Sequence, residues 1–104
     1  MGTKNRYKVI ILKQASADLE SSDVYFRQFS EATALKLFES VMENLKTLEF
    51  NPFFEIRYDN VRVLPVKGMK HNIHFTLDEN RKIIRVYAIV SSYRKPFNAK
   101  TRKK

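Results

Sequence analysis

Two histidines, His71 and His74, and the lysines and arginines around them are the side chains best suited to moving protons or holding phosphate. His71 lies close to Lys67 and Lys70, and nearby positive charge favours the neutral imidazole that a general base needs. His74 alternates with Asn72 and Thr76, the pattern of a half-exposed strand residue. Arg62 and Arg85 sit among β-branched residues, and the chain closes on Tyr93, Arg94 and Lys95 before four further bases. An imidazole for proton transfer and cations for developing charge are the materials of phosphate chemistry. Other chemistries find no such materials. With only Gly2 and Gly68, there is no glycine-rich phosphate loop. Two histidines three residues apart on a strand, without a third ligand nearby, make a poor metal site. The chain has no cysteine, so disulfides and thiolate ligands are excluded. No cofactor and no metal is expected.

The elements that must position these residues are legible in the spacing. At 104 residues and 43% hydrophobic, the chain makes one globular domain. We place it at residues 1–96, with a basic tail at 97–104. Tyr7 to Leu12 is a β-branched run. From Ala15 the period changes: Ala15, Leu19, Ser22, Phe26 and Phe29 recur at helical spacing, with Ser16 as the expected cap. A second helix follows Ser30 with Ala34, Leu37 or Phe38, Val41, Leu45 and Leu48 on its buried stripe, and Asn51-Pro52 ends it. So short a join predicts an antiparallel helical hairpin. After it come turns at Tyr58-Asp59-Asn60, Lys67-Gly68 and Asp78 to Arg81. The strands between them begin near Val61, Asn72 and Lys82. Pro65 marks the first of these as an edge or bulged strand. In the second, Ile73, Phe75 and Leu77 share one face. In the last, Ile84, Val86, Ala88 and Val90 alternate with Ile83, Arg85, Tyr87 and Ile89, which predicts a central strand buried on both faces. The expected class is α+β, in the order β-α-α-β-β-β: a mainly antiparallel twisted sheet with the hairpin on one face. Phe26, Leu37, Val41, Leu45, Phe75, Val86 and Ala88 are expected to be buried together.

The charge is segregated. The formal net charge is +9, yet residues 14–50 hold three bases and seven acids, whereas residues 94–104 hold six bases and no acid. An acidic hairpin therefore faces a basic sheet and tail, which fits a nucleic-acid or acidic-protein partner as well as a solubilising tail. Phe53-Phe54 directly follows a helix end, where both rings cannot easily point inward, so one of them is expected on a partner surface. No apolar stretch reaches the ~20 residues of a membrane span, and a cytoplasmic protein is expected.

The order of elements and several local signatures resemble the RelE/ParE superfamily of toxins from bacterial type II toxin–antitoxin pairs. The signatures are Ala15-Ser16-Ala17-Asp18-Leu19 followed by Tyr25-Phe26, the Ala34 to Leu37-Phe38 register, and Leu48 with Asn51-Pro52. Arg62, Ile73-His74-Phe75, Asp78-Glu79 and Tyr93-Arg94-Lys95-Pro96 complete them. The resemblance spans about residues 7–96. It implies a growth inhibitor neutralised by an acidic antitoxin protein that wraps over the helices and sheet. RelE-like members cleave mRNA in the ribosomal decoding site, and ParE-like members inhibit DNA gyrase without being nucleases. Carried onto this chain, the resemblance assigns phosphate and proton chemistry to Arg62, Lys67, Lys70 and His71. It assigns nucleic-acid contacts to Arg85, Tyr93, Arg94 and Lys95, beside the partner contact that position alone suggests for Phe53 or Phe54. Ser91 and Ser92 stand where many RelE-like members carry a catalytic His or Arg, a departure that removes the expected general acid. Ribosome-dependent mRNA cleavage, gyrase inhibition and a non-toxic RNA-binding role are the alternatives that the sequence leaves open.

Overall fold

The structure, a computed structural model, describes residues 6–91. Strand β1 (Lys8–Ile11) leads into helix α1 (Lys13–Arg27) and helix α2 (Glu31–Phe50), followed by β2 (Ile56–Tyr58), β3 (Val61–Val66), β4 (His71–Asp78) and β5 (Ile83–Ser91). The strands form one sheet in the order β1-β5-β4-β3-β2. Only β1 runs parallel to its neighbour, β5; the other pairs are antiparallel. The class is α+β, as the periodicity predicts, with one strand more than expected: β2 pairs briefly with Val61 and Arg62 across a turn in which Asp59 takes φ 49°.

Both helices lie on one side of the sheet, because their buried residues join the same cluster as one set of strand residues. Ala15, Leu37, Val41, Leu45 and Leu48 pack with Leu64, Val66, Ile73, Phe75, Ile84, Val86 and Ile89. Burying each large aliphatic or aromatic side chain in this layer contributes about 1.5–3 kcal/mol. α2 is the better anchored helix, with five fully or nearly buried residues at helical spacing. Its N-terminus is capped as expected: the Ser30 hydroxyl accepts from the Thr33 N–H at 3.1 Å. α1 departs from expectation at both ends. Its N-cap is Leu12, without a side-chain cap bond, because the Leu12 N–H still donates to the Val86 carbonyl and the chain turns from strand into helix at once. Ser16 therefore falls inside the first turns rather than at the cap. The helix also stops at Arg27, so Phe29 leaves the buried stripe and is 72% exposed.

β5 is interior in the strand order, as expected, but it is not buried on both faces, since Ile83, Arg85, Tyr87 and Val90 are half-buried. Its alternation is also broken. His74 pairs with Ala88 and Phe75 with Val86, which leaves Tyr87 as the extra residue of a bulge. A bulge reverses the phase of the residues beyond it. Ile89 consequently joins Val86 under the helices, while Ala88 is buried on the opposite side beside His74 and Val63. The Asp18 carboxylate of α1 accepts from the Ile89 N–H at 3.0 Å, just past the bulge. Pro65 lies where β2 no longer pairs with β3, so its missing N–H falls on an open stretch of strand.

Candidate functional site

His71 opens β4 and pairs across the sheet with Val66 and Ser91. It shares strand parity with Ile73 and Phe75, so its ring points beneath α1, where the residue is only 1% exposed. Its Nδ1 is bonded to the Met69 carbonyl, which can only accept, so that nitrogen carries the proton. Nε2 faces the Ser22 hydroxyl at 3.3 Å, and the Phe26 ring lies 6.0 Å away. The expectation of a solvent-facing acid–base group at His71 therefore meets a buried imidazole held at both nitrogens. A phosphodiester cannot reach it without moving α1.

The other members of the expected set are not gathered around it. Lys67 and Lys70 are exposed on the turn before β4, where Lys70 takes φ 51° and Gly68 φ 80°. Arg62 projects toward the 52–54 segment: its Nη1 donates to the Phe54 carbonyl at 2.8 Å, and its guanidinium lies 6.0 Å from the Phe53 ring centre. Arg85 is half-buried on the sheet face turned away from the helices, in register with Thr76. Tyr93, Arg94 and Lys95 lie outside the described residues, as do Ser92 and the 97–104 tail.

Two further groupings emerge that periodicity alone passed over. On the sheet face turned away from the helices, the Tyr58 hydroxyl lies 3.0 Å from His74 Nδ1, with ring centres 5.8 Å apart. A phenol and an imidazole at that distance can exchange a proton. The signal available in sequence was the parity of β4, which sends His74 away from the helices. The second grouping surrounds Phe53. Phe54 turns inward and meets Phe75 edge-on, whereas Phe53 is 55% exposed and meets Tyr7 edge-on at 6.2 Å. On the helical side, a groove of about 400 Å³ between α1 and α2 has Leu19, Leu35 and Phe38 along it and Glu20 and Asp23 at its rim. Arg27 is already engaged there: hydrogen bonding to Asp23 raises its pKa above the ordinary value, with a smaller effect from Glu31.

Among the described residues, no three His, Cys, Asp or Glu side chains come together in a way that could hold a metal ion. No described helix is long and apolar enough to cross a membrane.

No family model matches the sequence. No curated protein matches it either. Among solved structures, a chain of the chromosomal ParDE TA system from P. aeruginosa is similar to this one in fold, with a TM-score of 0.73. The two are 18% identical in sequence, and the match covers 84% of this chain and 97% of the other. The arrangement of two helices on a five-stranded sheet is thus shared with that chain over nearly its whole length.

Proposed function

We propose that this protein is the toxin of a type II toxin–antitoxin pair and that it acts by binding its target, as ParE-like gyrase inhibitors do, rather than by cleaving RNA. The fold shared with the ParDE chain supports the first half. The burial of His71 carries the second: its ring nitrogens are occupied by Met69 and Ser22, and Arg62, expected to assist it, is bonded to the Phe54 carbonyl instead. Catalysis of phosphodiester cleavage needs an acid or base within hydrogen-bond reach of the reacting oxygen. An antitoxin rich in acidic residues would neutralise the toxin by covering it, with opposite charge on the basic sheet side speeding encounter.

One observation favours mRNA cleavage as a second reading. The Tyr58–His74 pair stands on the face that the helices leave open, with Arg85 on the same face two strand pairs along. The test is induction of the protein alone in a bacterial host, with pulse-labelling of DNA and protein synthesis. Early loss of DNA labelling supports gyrase as target. Early loss of protein labelling overturns the binding reading in favour of the ribosome, and unimpaired growth overturns both.

A further inference from the structure

The junction of α2, β1 and β3 carries three aromatic rings, each with a cation over it. Arg6 lies 5.1 Å from the centre of the Phe50 ring, Arg62 6.0 Å from Phe53, and Lys82 5.1 Å from Tyr7. The rings are tied into one patch. Tyr7 meets Phe53 edge-on, and the Tyr7 N–H donates to the Glu49 carbonyl at 2.8 Å, which fixes the start of β1 beside the last turn of α2. Phe50 and Phe53 are 57% and 55% exposed, large apolar surfaces that folding leaves in water. The Lys8 N–H donates to the Lys82 carbonyl at 2.9 Å, which holds the start of β1 beside Lys82. The acid set among these cations is Glu49, 3.3 Å from Arg6.

We propose that this patch binds single-stranded nucleic acid without regard to sequence, the bases stacking on Phe50 and Phe53 and the phosphates meeting Arg6, Arg62 and Lys82. Alternating rings and cations supply what a single strand offers at each step, a flat π-face followed by a negative charge. A folded acidic protein fits less well. Covering the patch with it would desolvate three cations; Arg6 already has the Glu49 carboxylate, but Arg62 and Lys82 would each need one in good geometry. A single strand keeps its phosphates partly in water while its bases cover the rings. A rigid duplex hides its base faces and offers only the charges. The site is distinct from the Tyr58–His74 face and does not depend on the toxin reading: binding by a protein that arrests no synthesis would leave this inference standing and remove that one.

The test is fluorescence anisotropy on the purified full chain, with labelled twelve-residue oligouridine, the matching oligothymidine, and an RNA duplex of the same length. Phe50→Ala and Phe53→Ala, alone and combined, remove rings without changing charge, and thermal melting checks that the fold survives. Loss of one stacked base is expected to weaken single-strand binding roughly 5- to 150-fold, with the salt dependence unchanged. Arg6→Gln and Lys82→Gln should instead flatten the logarithmic salt dependence, by about 0.7 for each phosphate that is no longer neutralised. Glu49→Gln should tighten binding. Equal affinity for RNA and DNA places recognition in base and phosphate; preference for RNA adds an interaction with the 2′-hydroxyl. The proposal is overturned if the double phenylalanine variant binds like the unaltered protein, if the duplex binds as tightly as the single strand, or if an acidic aromatic peptide displaces the oligonucleotide at lower concentration than unlabelled oligouridine does.

Discussion

Replacing His71 by alanine removes an imidazole from beneath α1 and leaves two buried polar groups, the Met69 carbonyl and the Ser22 hydroxyl, without their imidazole partner. An orphaned buried group costs about 1–3 kcal/mol. The space vacated beside Phe26 adds the loss that follows any large-to-small change in a packed layer. The two groups alone come to about 2–6 kcal/mol, a large share of the roughly 5–15 kcal/mol that keeps such a domain folded. At about 4–8 °C per kcal/mol for a domain of this size, a loss of 3 kcal/mol lowers the melting temperature by about 12–24 °C. His71→Gln retains an amide N–H for the Met69 carbonyl and should lose about half as much. Melting and urea unfolding read the stability, and growth arrest per folded molecule reads the function. If His71 is structural, any growth arrest the protein causes falls only as far as the folded fraction does. A His71→Gln protein that melts within about one degree of the original, yet loses ~10²–10⁴-fold in RNA cleavage, would refute this reasoning and restore His71 as a catalytic base.

Asp18→Ala removes the carboxylate that accepts from the Ile89 N–H, a charge-assisted bond worth about 1.5–3 kcal/mol; a shift in urea midpoint without a change in slope is the expected result. Ser30→Ala removes the α2 cap and should cost about 1 kcal/mol by the same assay, whereas Ser16→Ala, at an exposed position inside α1, should be neutral or stabilise by roughly a few tenths of a kcal/mol. Phe54→Ala should destabilise by about 3 kcal/mol, while Phe53→Ala should stay within about 1 kcal/mol, because the first ring packs on Phe75 and the second stands in water. Tyr58→Phe removes the hydroxyl facing His74 and should leave growth inhibition unchanged if the protein acts by binding alone; loss of inhibition with intact folding would favour the cleavage reading.

The α2 stripe was legible except for the choice between Leu37 and Phe38, since Ala34, Val41, Leu45 and Leu48 follow one helical period with a hydroxyl cap before them and a proline after them. α1 was legible only in its middle. Its ends depend on where β1 releases the chain and on how tightly residues 28–30 turn, both of them tertiary facts. The Tyr87 bulge left no trace in composition, because Val86, Ala88 and Ile89 are equally apolar in either phase. The fate of His71 was written in the sequence more plainly than its neighbours suggested: it keeps the parity of Ile73 and Phe75. Proximity to Lys67 and Lys70 along the chain pointed to a charged site, whereas strand alternation sends the imidazole under the helices and leaves the lysines on the turn.

Arg62 shows how one residue can carry both a structural bond and a surface property. Its guanidinium donates to the Phe54 carbonyl, which fixes the backbone between a ring that packs inward on Phe75 and a ring that stands outward. Buried Pro52 restrains the same segment from the other side, since its ring fixes its own backbone torsion. With both neighbours held, Phe53 has no way to fold inward without displacing Phe54. The same guanidinium then lies over the outward ring, so the charge that orders the loop also lines the exposed patch. Removing it should therefore do two separable things: loosen the 52–54 segment, and subtract one cation from the aromatic surface. Arg62→Lys keeps the charge but loses the planar fork that reaches the carbonyl and the ring together. The lysine variant should accordingly keep most of the salt dependence of any nucleic-acid binding while losing stability, and the glutamine variant should lose both.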